Sequence, residues 1–285
     1  MTTDVLTEES TSRTIEVDGL KIHYHEAGEG EPLILLNSGP SNSPASTAWI
    51  NYSKNLPFLS QHFRCIAMDL VNYGRTGPIT FHEPVHDVQA RTVLALLDSL
   101  GIEKAHFAGN SVGGTTSLDF ALRYPDRVLN IVAGGCHAST GGDPYLLANR
   151  PPELIRVGRK AFDNPNAETF REYLEVNFYD RSLVTDELVE YLLRNFLDHP
   201  DHIEARVNSV STPHSNMADL GKIKQPVLII HGRYDRMVPV EQALMMLNYL
   251  TDARVLVFNN CGSWASYEHP DDYNRYVLEH LKNAK

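Results

Sequence analysis

The chain of 285 residues carries 25 Lys and Arg against 36 Asp and Glu, which gives a formal net charge of -11. An acidic surface repels phosphate groups, so nucleic acids and anionic membranes are poor partners and a small-molecule substrate is favoured. Hydrophobic residues make up 42% of the chain, which is enough for a packed core, and the length predicts one or two domains.

Three cysteines, Cys65, Cys136 and Cys261, are too few and too scattered for a disulfide framework or a CxxC metal site. The first residues are polar and acidic, without the basic and apolar stretches of a signal peptide. No apolar run approaches the roughly 20 residues that a membrane span needs. We therefore expect a cytoplasmic protein that binds no metal and no cofactor.

The order of apolar segments predicts an α/β fold. Residues 1–12 are expected to be a flexible arm, and Asp18-Gly19 between alternating apolar residues predicts a hairpin. Short apolar runs that are typical of buried parallel strands then begin at Pro32, Phe63, Ala105, Leu129, Val227 and Val255. Helical periodicity separates several of these runs, at residues 85–100, 112–124, 240–250 and 271–281. This alternation predicts a mostly parallel, doubly wound sheet.

Residues 139–217 interrupt the alternation. They contain helix-like segments and no convincing buried strand, over a length that is too great for a plain crossover. We therefore predict a helical cap, inserted into an α/β core that consists of residues 13–138 and 218–285.

The sharpest chemical signal is the sequence Gly109-Asn110-Ser111-Val112-Gly113, between a predicted strand and a predicted helix. This G-x-S-x-G pattern in that context is typical of a nucleophile elbow, a tight turn that exposes a serine at the carboxyl end of the sheet. Val112 begins the helix, so its N–H is a natural donor to an oxyanion. The alternative is a serine that caps the helix beside glycine-rich packing.

Asp235 follows the strand that begins at Val227, where the order Ser, Asp, His places the acid of a catalytic triad. An ordinary helix N-cap is the alternative role for this residue. The third member should be a histidine after the strand that begins at Val255, but that loop contains Ser263 and Trp264.

Several motifs together resemble one family. They are Trp49-Ile-Asn51, Gly109–Gly114, Tyr124–Arg127, Gly232–Pro239, Cys261–Ala265 and Glu268-His-Pro270. From Thr14 to Leu281 the chain resembles the α/β-hydrolases that cleave meta-ring-fission products, the C–C bond hydrolases of aromatic degradation. The resemblance implies hydrolysis of a C–C bond next to a ketone, a helical cap that acts as a lid, and a homo-oligomer.

The resemblance also assigns roles to single residues. Ser111 would be the nucleophile or would activate water, Asp235 would be the acid, and Ser38 and Gly39 would complete the oxyanion hole with Val112. The residues expected to border or hydrogen-bond the substrate are Asn37, Asn51, Asn110 and Trp264.

Three departures from the family pattern accompany these matches. Ser263 stands where the family has its catalytic histidine, the loop from Asn37 to Asn42 is altered, and Leu192 occupies the position of an arginine that grips the substrate carboxylate. Arg194 lies about 200° further round the helix and is a poor substitute. Three separate departures favour natural divergence over a single substitution made to trap a substrate.

The loss of a triad histidine lowers turnover by about 10⁶-fold in a serine protease, so we expect ordinary family activity to be impaired. His137, which follows the strand that begins at Leu129, is the best candidate for a substitute base, although an ordinary surface-loop histidine is the more common role. Two other functions remain open. They are cofactor-free lyase or esterase chemistry in the same pocket, and ligand binding without catalysis.

Overall fold

The computed structural model describes residues 5–39, 43–140, 152–210 and 214–283. The strands within those residues are β1 Ser12–Val17, β2 Leu20–Ala27, β3 Pro32–Leu36, β4 Arg64–Met68, β5 Ala105–Asn110, β6 Val128–Gly134, β7 Ser139–Thr140, β8 His214–Ser215, β9 Val227–Gly232 and β10 Ala253–Phe258. The helices there are α1 Glu8–Thr11, α2 Ala48–Tyr52, α3 Leu56–Leu59, α4 Val85–Ser99, α5 Val112–Arg123, α6 Pro152–Asp163, α7 Ala167–Asn177, α8 Asp186–Leu197, α9 Pro200–Asn208, α10 Glu241–Leu247, α11 Ala265–Glu268 and α12 Pro270–Asn283.

The described strands form one eight-stranded sheet in the order β1-β2-β4-β3-β5-β6-β9-β10, apart from the short β7 and β8. The pairs from β4 through β10 are parallel, whereas β2 is antiparallel to both β1 and β4. The hairpin forms where the sequence predicts it, because Asp18 and Gly19 both adopt the left-handed φ that such a turn requires. The predicted α/β fold with a mostly parallel sheet is confirmed.

Helices cover both faces of the sheet, and the side chains of each strand alternate between the two resulting cores. In β3, Ile34 and Leu36 pack with residues of α4 and α5, whereas Leu33 and Leu35 pack with residues of α2 and α12. All four side chains are fully buried. A central parallel strand is therefore apolar on both sides, which explains the continuous apolar runs of the sequence.

The N-terminal segment is more ordered than the predicted flexible arm, of which residues 1–4 lie outside the described residues. Thr7 and Ser10 form a reciprocal capping box that begins α1. Glu8 then forms an ion pair with Arg75 at 3.0 Å and accepts a hydrogen bond from Tyr191 at 3.1 Å. The composition of this segment predicts disorder, but a helix cap and contacts with distant residues give residues 7–12 a fixed structure.

Helices α6 to α9 lie between β6 and β9 in the chain, within the range predicted to be a cap. At the two ends of that range, β7 and β8 pair antiparallel. The helices share an apolar core that includes Phe170, Leu188 and Phe196, and this core extends to Trp264 of the α/β part. We call α6 to α9 the cap helices. No helix among the described residues has the length and apolar character to cross a membrane.

Candidate active site

The elbow around Ser111 has a backbone conformation that the sequence motif predicts. Ser111 has φ 53° and ψ -121°, and its N–H donates to the Gly134 carbonyl at 2.7 Å. A β-carbon at Gly113 would clash with the Leu36 carbonyl oxygen, so a larger residue there would force the chain apart. The turn places Ser111 at the start of α5, where unpaired N–H groups and the helix dipole favour negative charge. Val112 is the first residue of that helix.

Asp235 lies in the loop after β9, and its side chain is completely buried. Its Oδ1 atom accepts backbone hydrogen bonds from Met237 at 2.7 Å and Val238 at 2.9 Å. The Oδ2 atom lies 3.5 Å from Nε2 of His231, which is also fully buried. Burial raises the pKa of the Asp235 carboxyl, and these neighbours offset only part of the rise. Asp235 therefore has the position and support of a triad acid.

Ser263 contacts Asp235 directly and has three separate attachments. Its hydroxyl donates to Asp235 Oδ1 at 2.6 Å, its backbone N–H donates to the Asn177 carbonyl at 2.9 Å, and its carbonyl accepts from Asn110 Nδ2 at 3.0 Å. Asn110 thus links the elbow to the loop of Ser263. The structure brings the predicted Ser263, Asp235 and Asn110 together.

The loop after β3 is organised by Asn51. The Oδ1 atom of Asn51 accepts from the Ser38 N–H at 3.1 Å and from the Ser38 hydroxyl at 2.7 Å. Its Nδ2 atom donates to the Ser46 hydroxyl at 2.8 Å and the Thr47 carbonyl at 2.7 Å. The Ser38 N–H, predicted as an oxyanion donor, is therefore already used within the protein. Asn51, predicted to border the substrate, stabilises the loop in this structure through its hydrogen bonds to Ser38, Ser46 and Thr47.

Asn37 and Gly39, the other two residues of this loop that were predicted to belong to the site, have different structural roles. Asn37 is fully buried, and its Oδ1 atom accepts from the Leu70 N–H at 2.9 Å. Gly39 has φ 145°, a conformation that favours glycine, and a β-carbon there would lie 2.7 Å from the Ser46 β-carbon. Asn37 connects the loop to the end of β4, and Gly39 allows close approach.

Leu192 and Trp264, both predicted to face the substrate, lie in one apolar wall. They line a small cavity between the cap helices and the α/β core. Its other lining residues are Ala45, Ser46, Ala161, Phe162, Phe170 and Tyr173. The cavity has a volume of about 10 Å³, which is room for about one water molecule. Arg194 is exposed on the opposite side of α8, as the helical spacing predicts.

Thr115 forms hydrogen bonds with both His137 and Ser111, which brings the backbone of His137 close to the elbow. The Thr115 hydroxyl donates to the His137 carbonyl at 2.6 Å, and the Thr115 N–H donates to the Ser111 carbonyl at 3.0 Å. These contacts place the backbone of His137 beside the first turn of α5. His231, in β9, lies instead beside Asp235, and its Nε2 is 2.8 Å from the Val238 carbonyl in the loop after that strand.

Sequence reasoning missed the role of Glu268, although it noted the motif that contains this residue. Its Oε1 atom accepts from the Gly262 N–H at 2.7 Å, and its Oε2 atom accepts from the Tyr179 N–H at 2.8 Å. Burial raises the pKa of the Glu268 carboxyl, and the backbone donors act in the opposite direction. This side chain therefore joins the loop of Ser263 to the segment after α7. Gly262 lies 6 positions and Tyr179 lies 89 positions from Glu268 in the chain, and no local sequence pattern predicts the contact with Tyr179.

A second group of the same residue types lies near β1. Ser12 Oγ is 2.8 Å from His23 Nε2, and His23 Nδ1 is 2.7 Å from Asp69 Oδ2. Although burial acts to raise it, the pKa of Asp69 is lowered, by His23 and by the N–H groups of Ala48 and Arg75. Ser12 lies in a strand, and its N–H bonds to the end of α1. The position lacks the helix N-terminus of the elbow, so we interpret it as a structural network.

Among the described residues, no group of three or more His, Cys, Asp or Glu side chains could hold a metal ion.

Comparison with known proteins places this chain in a known class. A family profile described as "alpha/beta hydrolase fold" matches residues 31–270. The solved structure of a mutant meta-cleavage product hydrolase from Pseudomonas fluorescens, complexed with acetates, matches with a TM-score of 0.80 and 30% identity. That match covers 98% of this chain and 100% of the other. The fold and the elbow thus define an α/β hydrolase.

Two relatives narrow the class further. The 2-hydroxy-6-oxo-6-phenylhexa-2,4-dienoate hydrolase of Burkholderia cepacia is 36% identical over 98% of this chain and 99% of the relative. The 2-hydroxy-6-oxononadienedioate/2-hydroxy-6-oxononatrienedioate hydrolase of Burkholderia vietnamiensis is 36% identical over the same shares of the two chains. The chain therefore belongs to the meta-cleavage product hydrolases, the C–C bond hydrolases of the α/β-hydrolase fold.

Proposed function

We propose that this protein binds a 2-hydroxy-6-oxo-dienoate-like acid and hydrolyses the C–C bond next to its ketone, with impaired turnover. The observation that carries the proposal is the strained elbow of Ser111 at the start of α5, with buried Asp235 and its partner Ser263 in the neighbouring loops. The relatives named for such dienoates and dienedioates support the substrate class. The solved relative complexed with acetates supports an acidic ligand.

In this reaction, water supplies a hydroxyl to the ketone carbon and a proton to the carbon that leaves. Ser111 either attacks the ketone or activates the water. Val112 N–H, together with Ser38 and Gly39 after a local rearrangement, stabilises the oxygen that becomes negative. The rearrangement is necessary because the Ser38 N–H donates to Oδ1 of Asn51 in this structure and must be released before it can bind the oxyanion.

The weak point of the proposed site is its base. The Ser263 hydroxyl donates its proton to Asp235 and cannot take up the proton of Ser111 at neutral pH. If the chain turns over substrate, we propose His137 as the residue that replaces the base, since its backbone lies beside the first turn after Ser111. In that case His137→Gln should remove the residual activity.

The decisive experiment is Ser263→His. With 2-hydroxy-6-oxo-6-phenylhexa-2,4-dienoate as the probe, we expect kcat to rise by about 10²- to 10⁴-fold, which is the usual contribution of a general base. Product analysis must show the acid formed by C–C cleavage, and Ser111→Ala in the same background is the control. No gain in turnover, despite binding of the probe, would contradict the hydrolase proposal.

The bond from Ser263 to Asp235 also favours a second function, which is ligand binding without catalysis. An organophosphonate that reacts with activated serines separates the two functions. Labelling of Ser111 in the wild-type chain supports a working nucleophile. Absence of labelling together with tight binding of the probe supports the binding protein, whereas conversion of the probe to other products supports lyase or esterase chemistry.

We also propose a homo-oligomer, because the resemblance that gives the substrate class implies one. Light scattering after size-exclusion chromatography measures the mass in solution. A mass equal to the 32.0 kDa of one chain would contradict this proposal.

A further inference from the structure

Arg206 is a cap residue whose cation faces an aromatic ring. It lies in α9, and its guanidinium carbon is 4.3 Å from the centre of the Phe162 ring. The side chain is half-buried. Stacking of this kind holds the plane of a guanidinium in place and leaves its N–H edge free to bind an anion.

Arg206 differs from two other cap arginines, which form ion pairs, and from Arg159, Arg181 and Arg194, which are exposed. Arg171 pairs with Asp186, and Arg156 pairs with Glu172 at 3.0 Å. Within the described part of the chain, no carboxylate lies at ion-pair distance from Arg206. Burial lowers the pKa of the Arg206 guanidinium, while Tyr73, Tyr173 and Asp163 act to raise it. A half-buried cation that no described carboxylate contacts can take its negative charge from a ligand.

The position of Arg206 connects it to the candidate active site. Phe162, the ring beneath the guanidinium, lines the same small cavity as Leu192 and Trp264. Tyr73, close enough to influence the charge of Arg206, also contacts the predicted oxyanion loop, since its Cε1 atom would lie 3.4 Å from a β-carbon at Gly39. Arg206 thus contacts a ring that lines the apolar cavity.

We propose that Arg206 binds a carboxylate of the ligand, from α9 instead of from position 192 on α8. This inference rests on the proposed function for the identity of the acid. The planar guanidinium can donate two parallel hydrogen bonds to a carboxylate while it stays stacked on Phe162. Because Arg206 is half-buried, such a contact is screened less by water than one at an exposed arginine. Leu192 then provides apolar surface for the carbon skeleton.

The test compares an acid with its uncharged ester in a chain that cannot turn them over. In a Ser111→Ala background, the dissociation constants of 2-hydroxy-6-oxo-6-phenylhexa-2,4-dienoate and its methyl ester are measured by calorimetry. Arg206→Met should weaken binding of the acid by about tenfold or more and leave the ester within about twofold. The dissociation constant of the acid for Arg206→Lys should lie between those for the parent chain and for Arg206→Met. Arg194→Met, on the exposed side of α8, is the matched control and should change neither constant.

Two results overturn the proposal. If Arg206→Met weakens acid and ester alike, the side chain only packs against Phe162. If Arg194→Met has the same effect as Arg206→Met, the charge acts at long range without a contact.

The same measurements separate this proposal from the proposed function. Binding of the acid through Arg206 without C–C cleavage by the Ser263→His chain would contradict the hydrolase alone. If the dienoate does not bind at all, benzoate and benzamide serve as the charged and uncharged pair. A preference for benzoate that Arg206→Met abolishes would support the carboxylate site, and the absence of such a preference would overturn it.

Discussion

The Ser263 hydroxyl donates a 2.6 Å hydrogen bond to Oδ1 of Asp235, the same atom that accepts the N–H groups of Met237 and Val238. Three donors therefore converge on one carboxylate oxygen. The bond stabilises the ionised form of a carboxyl whose pKa burial raises. It also directs the Ser263 proton towards Asp235. The pair thus favours the ionised form of Asp235 but supplies no base.

Ser263→Ala should destabilise the protein. The variant removes a hydrogen bond to a buried charged group, so we expect a loss of about 1.5–3 kcal/mol in the free energy of unfolding. Urea denaturation at pH 7 measures it. Ser266→Ala is the matched control, since that hydroxyl makes a longer bond of 3.3 Å to a neutral carbonyl and should contribute less. Equal losses in the two variants would show that the bond to Asp235 has no special weight.

Two glycine substitutions should have opposite effects. Gly113→Ala places a methyl group against the Leu36 carbonyl oxygen and should destabilise the fold by about 3 kcal/mol or more. Gly158 lies inside α6, and a β-carbon there meets its nearest neighbour, Tyr173 Cε2, at 4.0 Å, an ordinary contact. Gly158→Ala should therefore stabilise by about 0.5–1 kcal/mol through helix propensity. Thermal unfolding of both variants checks the signs, and a stabilising Gly113→Ala would contradict the close packing at the elbow.

Stability should fall as the pH drops from 6.5 towards 4. Burial lowers the pKa of His25 to about 4, and Asp69 offsets this only in part. Between these two pH values the unfolded chain binds a proton that the folded chain does not, so protonation favours unfolding. The contribution of His25 is on the order of 3 kcal/mol. His25→Asn should reduce the slope of the free energy of unfolding across this range, and an unchanged slope would show that His25 titrates normally.

Glu268→Gln should loosen the contact between the cap segment and the loop of Ser263. The variant replaces a charged acceptor of the Gly262 and Tyr179 N–H groups and turns one acceptor into a donor. We expect a loss of about 2 kcal/mol in the free energy of unfolding. Hydrogen exchange should accelerate at these two amides. Glu190→Gln on the exposed face of α8 is the control, and protection that survives Glu268→Gln would contradict the proposed link.

The sequence predicts the elements whose signals are local. The strand, the glycines and the helix around Ser111 are neighbours in the chain, so their arrangement follows from steric rules that a motif records. The strands of the sheet are apolar runs for the same reason, because both faces are buried.

The contacts that the sequence does not reveal join residues far apart. Asn51 fixes Ser38 across 13 positions, and Arg206 of α9 contacts Phe162 of α6, which lies far away in the chain. The order of residues 7–12 likewise depends on Arg75 and Tyr191, which lie elsewhere in the chain. Such pairings depend on tertiary packing, which local propensity does not encode.

The backbone at residue 263 is fastened on both sides, by Asn177 at its N–H and by Asn110 at its carbonyl. Neither attachment uses the side chain. A different amino acid can therefore occupy this position while the loop keeps its backbone conformation. The side chain at residue 263 can change during evolution without a change in these two contacts. A substitution such as Ser263→His therefore leaves both backbone attachments of residue 263 in place.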